Sequence, residues 1–134
     1  MMKKVIVTIS TLILIGVAYS VYLFNKKTPS LHKIIPDYTM TADNLYKEFE
    51  ADENSSLLKY ESKVLEVTGK VLMVTKTDSI SNIILNAEDA MLGGVNCSFK
   101  YLENNLKKND IVIIKGRCQG YLTNVILNNC VLVK

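Results

Sequence analysis

Lys63-Val-Leu-Glu-Val-Thr-Gly-Lys-Val-Leu-Met-Val-Thr75 is the stretch whose reading decides the fold. Its β-branched residues and period-two alternation mark a strand, with Leu65, Val67, Val71 and Met73 on one parity. It is long for a strand, and Gly69 interrupts it near the middle. A glycine there allows a bend sharp enough for one strand to serve two sheets.

Working downstream, four more strands are predicted. Ile80–Asn86 follows the polar turn Lys76–Ser79, and Val95, Cys97 and Phe99 alternate in a third strand entered through Gly93-Gly94. Tyr101–Lys107 reads as a short helical or turn connector. Asn109-Asp110 then leads into a fourth strand, Ile111–Tyr121, and Thr123-Asn124 turns into the last, Val125–Val133. Five short strands with one connector after the third predict a mainly β domain of the OB type, a small Greek-key barrel. A five-stranded SH3-like barrel is the second fold compatible with this order.

Upstream of the strands, Thr41-Ala-Asp-Asn-Leu-Tyr-Lys-Glu-Phe-Glu50 opens with a capping threonine and places Leu45 and Phe49 four apart, which predicts an amphipathic helix. Asp52-Glu53-Asn54 interrupts it, and Ser56–Tyr60 resumes as a second short helical stretch. The carboxylates Glu48, Glu50, Asp52 and Glu53 crowd one polar segment and read as a solvated face rather than a metal or acid–base site. The expected organisation is an anchor at 1–24, a tether at 25–40 and the OB domain with its helix at 41–134. The tether is polar and basic, carries Pro29 and Pro36, and holds the only histidine, His32, with no partner at metal or triad spacing.

The anchor rests on Val5–Phe24, a run without charge bracketed by Lys3-Lys4 and Lys26-Lys27. As a helix it is about 30 Å long, the thickness of the bilayer hydrocarbon core. Tyr19 and Tyr22 stand toward one end, where amphipathic rings favour the interface. An uncleaved transmembrane helix is the expectation. A cleaved secretory signal, with Ala18-Tyr19-Ser20 as a loose small-x-small match, and a buried core helix are the competing readings. No cysteine precedes Cys97, which argues against an N-terminal lipoprotein. The lysines flank the run on both sides, so the positive-inside rule is nearly balanced. The short N-terminal tail and the likeness to a signal segment favour that tail inside and the domain in the extracytoplasmic envelope.

Length and charge bound the function. A chain of 134 residues has room for one domain and one appendage, and its 49% apolar and 22% charged shares are those of a folded protein. The net charge of +3 divides unevenly. Residues 1–36 hold five lysines and no acid, leaving residues 37–134 with 11 basic and 13 acidic groups. A domain that binds nucleic acid by neutralising phosphates ordinarily carries a basic excess, which this one lacks.

The residues resemble the bacterial tRNA-anti-like OB-fold family, small exported or membrane-anchored proteins. Leu45-Tyr46-x-x-Phe49, Lys59-Tyr60 and Lys63–Gly69 carry the resemblance. It continues through Val95-x-Cys97-x-Phe99, Lys115-Gly116-x-Cys118-x-Gly120-Tyr121 and Val125-x-Leu127-x-x-Cys130. It spans residues 41–133 and implies a shared OB fold rather than a shared ligand. It supplies no catalytic residue.

Three cysteines, Cys97, Cys118 and Cys130, show no Cys-x-x-Cys spacing, and no zinc site or other cofactor is expected. A hairpin turning at Thr123-Asn124 brings Cys118 nearly opposite Cys130, where a disulfide forms if the compartment oxidises and side-chain parity agrees. The alternative is three small buried hydrophobes. The domain has no histidine and no phosphate loop, so no enzyme activity is expected. The candidate ligand-binding residues are Lys70, Lys76, Asn82, Lys100, Tyr101, Arg117 and Tyr121. The expected function is a membrane-anchored binding module for a protein, peptide or glycan partner in the cell envelope. The alternative is an OB domain for single-stranded nucleic acid, for which Phe99 is the lone aromatic on the second and third strands.

Overall fold

A computed structural model describes residues 1–26, 29–91, 93–102 and 105–133. In chain order it contains helix α1 (Met2–Asn25), a 3-10 turn (Leu31–Lys33), β1 (Tyr38–Thr41), α2 (Ala42–Ala51) and α3 (Glu53–Tyr60). The strands β2 (Val64–Lys76), β3 (Ser81–Asn86), β4 (Gly94–Phe99), β5 (Ile111–Leu122) and β6 (Asn124–Leu132) follow.

Helix α1 buries none of its residues, which removes the core-helix reading, and it is long and apolar enough to cross a membrane. Two of its hydroxyls are satisfied within the helix. Thr8 Oγ1 donates to the Val5 carbonyl at 2.8 Å and Thr11 Oγ1 to that of Val7 at 2.8 Å, so neither hydroxyl needs water.

The five long strands close into a barrel in the order β2-β3-β4-β6-β5 and back to β2. All pairs are antiparallel except β4 with β6. Strand β2 makes the closure by changing partner along its length, pairing with β5 from Val64 to Lys70 and with β3 from Val71 to Lys76. Gly69 sits at the switch. A Cβ there would lie 3.0 Å from Ala42 Cβ and 3.1 Å from Leu85, so the glycine also lets the start of α2 close over the barrel. Beyond it, the register slips between Val71 and Met73. That extra residue reverses the parity: Met73, expected inside with Leu65, Val67 and Val71, is 54% exposed.

Inward residues from every barrel strand form one core, among them Leu65, Val67, Ile83, Leu85, Val95, Phe99, Ile114 and Leu127, and α2 contributes Leu45 and Phe49. Each fully buried side chain of this size contributes roughly 1.5–3 kcal/mol of transfer free energy. Helix α2 begins where the Thr41 hydroxyl accepts the Asn44 N–H at 3.2 Å, and α3 where Asp52 accepts that of Ser55 at 3.1 Å. Glu48 joins the two helices, accepting from Tyr60 Oη at 2.6 Å and Lys59 Nζ at 2.9 Å. It is a structural clamp rather than only part of a solvated face.

The stretch expected to be a tether is partly built into the domain. Leu31 is 1% exposed and the 3-10 turn packs against β5 and β6. The buried Lys115 donates to the Ile34 carbonyl at 2.9 Å, and Asp37 exchanges two bonds with the Val64 backbone. Tyr38–Thr41 then pairs in parallel with Leu65–Thr68. This sixth strand covers an edge of β2 that β3 does not reach. The connector after β4 shows no helix among its described residues, Glu103 and Asn104 lying outside them.

Of the two readings of the cysteines, the conditional Cys118–Cys130 bridge is not the one this structure shows. The β5–β6 register shifts twice, so Cys118 faces Leu127, while a Cβ on Gly116 would meet Cys130 Sγ at 2.6 Å. All three cysteines are free and buried. The neighbour of Cys130 is Cys97, whose thiol that contact and burial hold well above its ordinary pKa. Burial pushes the Cys118 thiol up to about 11.

Candidate ligand face and groove

The outward residues of β3, β4 and β6 form one continuous face, because each strand buries alternate side chains and turns the others out. Pairing places Asn82 beside Ser98, Ile84 beside Asn96, and Asn96 beside Ile126. Asn124 and Asn128 have the same parity on β6. The face is thus built from amides and a hydroxyl around two isoleucines, with no charged side chain on these positions.

Part of its hydrogen-bonding capacity is used internally, since Ser98 Oγ donates to Asn82 Oδ1 at 2.7 Å. Part is not. Asn96 Oδ1 and Asn124 Oδ1 are buried without a hydrogen-bond partner among the described residues. Asn124 lies against Gly93 and Ile84; a Cβ on Gly93 would come within 2.9 Å of Asn124 Oδ1 and of Ile84 Cγ2. The glycine at φ +141° is what leaves room for that amide.

At the other end of the face a groove of about 480 Å³ opens where the β4–β6 pairing stops after Cys97 and Leu127. Ile80, Ser98, Phe99, Lys100, Gln119, Asn128 and Asn129 line it. Gln119 and Asn129 both lie at register shifts of the β5–β6 ladder, and Asn129 has φ +53°. Bulges of this kind re-aim side chains, and here they turn two amides into the groove. A second groove of about 300 Å³ shares Ile80 and Lys100 and adds the Lys76–Ser81 turn, Tyr101 and Leu102.

Four of the seven residues expected to bind ligand meet here. Lys76 donates to Asn105 Oδ1 at 3.3 Å beside the second groove, Asn82 is on the face, and Lys100 borders both grooves with its Nζ 5.7 Å from the Tyr101 ring. Tyr101 is 81% exposed. The other three lie elsewhere. Lys70 is exposed on β2 opposite Ile111, Arg117 Nη1 donates to the Ser62 carbonyl at 2.8 Å, and Tyr121 stacks on Phe49 at 5.7 Å beneath α2. Tyr46 is the main cause that pushes the Tyr121 phenol up to about 12. Sequence reasoning missed Ile80, Asn96, Ser98, Gln119, Asn124, Asn128 and Asn129. The signal was there in the polar residues Asn96, Ser98, Asn124 and Asn128, which alternate with the core positions of their strands. Among the described residues no group of three or more His, Cys, Asp or Glu is placed to hold a metal ion.

Closed strand order, a bent first barrel strand and a face on the second and third barrel strands together define an OB-type β-barrel. The tRNA_anti-like family model matches residues 1–132, and the chain belongs to that family. Among solved structures, a Klebsiella pneumoniae lipoprotein described as a candidate nucleic acid-binding protein is 16% identical. The match covers 72% of this chain and 91% of that one, with a TM-score of 0.54. Yeast Stn1 and Ten1 match at 14% identity over 78% of this chain and 66% of theirs, with a TM-score of 0.45. The likeness to the lipoprotein is one of fold. No curated protein matches the sequence.

Proposed function

We propose that this chain is a non-catalytic binding module anchored by α1, with its domain on the extracytoplasmic side of the envelope, and that the β3–β4–β6 face and its groove take a glycan chain. The observation that carries this reading is the lining: Asn82, Asn96, Ser98, Asn124 and Asn128 on the face, joined by Gln119 and Asn129 at the groove. Amides and hydroxyls that donate and accept suit an uncharged polyhydroxylated chain, and OB faces at this position take oligosaccharides as well as oligonucleotides. The acidic balance of residues 37–134 supports a ligand that needs no phosphate neutralisation.

Single-stranded nucleic acid is the second reading, favoured by Lys76, Lys100 and the exposed Tyr101 at one end of the face. The two readings differ in salt dependence. Full-length protein in detergent micelles, labelled with ¹⁵N, is titrated with chitin-type and peptidoglycan-derived oligosaccharides and with oligo-uridine. Saccharide-dependent shifts of the Asn96, Asn124 and Asn128 side-chain amides that persist in salt are expected. Asn128→Ala should weaken binding by about 0.5–1.5 kcal/mol. Binding of oligo-uridine alone, falling steeply with salt, replaces the glycan reading by the nucleic-acid one. Binding of neither discards the face as a site for both.

A further inference from the structure

We infer that the end of the barrel bearing the 3-10 turn is a bilayer-contact surface, so that the domain stands on the membrane in one orientation with Lys33 and Ile35 against anionic lipid. The inference rests on reading α1 as the membrane span. Its first support is reach. Helix α1 ends at Asn25 and Leu31 is already buried in the domain, which leaves five residues between them. Fully extended, that interval spans about 20 Å. A domain of about 100 residues is wider, at roughly 30 Å. The barrel therefore has too little chain to turn its opposite pole toward the membrane.

The second support is how the entry point is fixed. Leu31 is held against β5 and β6, and Lys115 Nζ binds the Ile34 carbonyl at 2.9 Å with Glu66 at 3.9 Å behind it. The chain enters the domain at a pinned place rather than through a loose coil. The third is what surrounds that place. Ile35 is 87% exposed, Lys33 is exposed beside it, and Val133, whose N–H donates to the Ile113 carbonyl two residues from Lys115, is 46% exposed. An exposed isoleucine and a lysine within reach of a bilayer form the amphipathic pair that inserts a side chain at the headgroup boundary while the cation meets lipid phosphate. The β3–β4 loop lies at the other end of the barrel: Val125 of β6 starts beside it, whereas Val131 of the same strand pairs with Lys115. Six residues of strand separate the two, about 20 Å.

Full-length protein is reconstituted into nanodiscs of neutral phosphatidylcholine with or without phosphatidylglycerol, carrying a photo-crosslinking residue at Lys33, Ile35 or Met91, one at a time. Lipid adducts are expected at positions 33 and 35 and not at 91. In Lys33→Glu protein the adduct at 35 should be lost from discs containing phosphatidylglycerol. Protein that enters the discs but gives equal adduct at 35 and 91, or none at 35, overturns the contact surface and leaves the anchor standing. Protein that fails to enter the discs at all overturns the anchor reading and this inference together.

Discussion

Gly116 shows how one missing methyl governs a neighbourhood. A Cβ at this position would lie 2.6 Å from Cys130 Sγ and 3.0 Å from Leu127 Cβ. The glycine lets β6 carry its extra residue at Asn129–Cys130 while Cys130 still points into the core. Gly116→Ala should destabilise the protein by about 1–3 kcal/mol in urea unfolding. In a Cys130→Ala background the same substitution should cost less, because the atom it strikes is gone. Equal cost in both backgrounds would place the strain elsewhere, at Leu127 or the Asn128 carbonyl. The same bulge sends Asn129 to the groove, so a packing feature of the interior shapes the ligand face.

At the scale of elements, the α2–α3 pair is held by one carboxylate. The Tyr60 hydroxyl, and after it the Lys59 ammonium, hold the Glu48 carboxyl below its ordinary 4.5. A lowered folded value means the unfolded chain takes up a proton first as pH falls. The stabilisation is therefore present above the ordinary carboxylate range and is lost in acid as pH passes down through the lowered value. Glu48→Gln should be less stable than the parent at pH 7 by about 0.5–1.5 kcal/mol, with the gap closing toward pH 3 in thermal melts. A gap that stays constant with pH would mean the carboxylate's charge is not what matters. The elements also show what sequence periodicity can reach. The barrel strands and α2 were legible because each buries one face over enough residues for the period to register, and the bend at Gly69 because glycine in a long strand has few other uses. Strand β1 was not, because Tyr38–Thr41 is four residues long and its partner is a parallel strand that no hairpin signal announces. The Met73 parity and the Cys118 register failed for one reason: bulges at Leu72, Gln119 and Asn129 are chosen by packing across the barrel, which a linear pattern does not contain. The candidate site was half legible. Lysine and tyrosine positions drew attention, whereas the amides of the face look like ordinary exterior until three strands bring them side by side.

As a whole molecule, the domain is a single closed sheet around one core, and its three thiols are distributed over three of the five barrel strands. A closed barrel has no strand that can leave without opening the ring. Pulsed thiol labelling across a urea series should therefore modify Cys97, Cys118 and Cys130 together, at the midpoint of global unfolding. Labelling of Cys130 well before the other two would reveal β6 as a separately opening unit. Closure also dictates an order of events during synthesis. The first half of β2 finds its partner in β5 some fifty residues later, whereas α1 is complete before any barrel strand is made. Ring closure thus awaits β6, the last barrel strand to be made, and long-range pairing of this kind is slow. On the proposed anchoring by α1, the protein is committed to its membrane while the barrel is still an unclosed set of strand edges, and the lipid surface becomes the environment in which this domain folds.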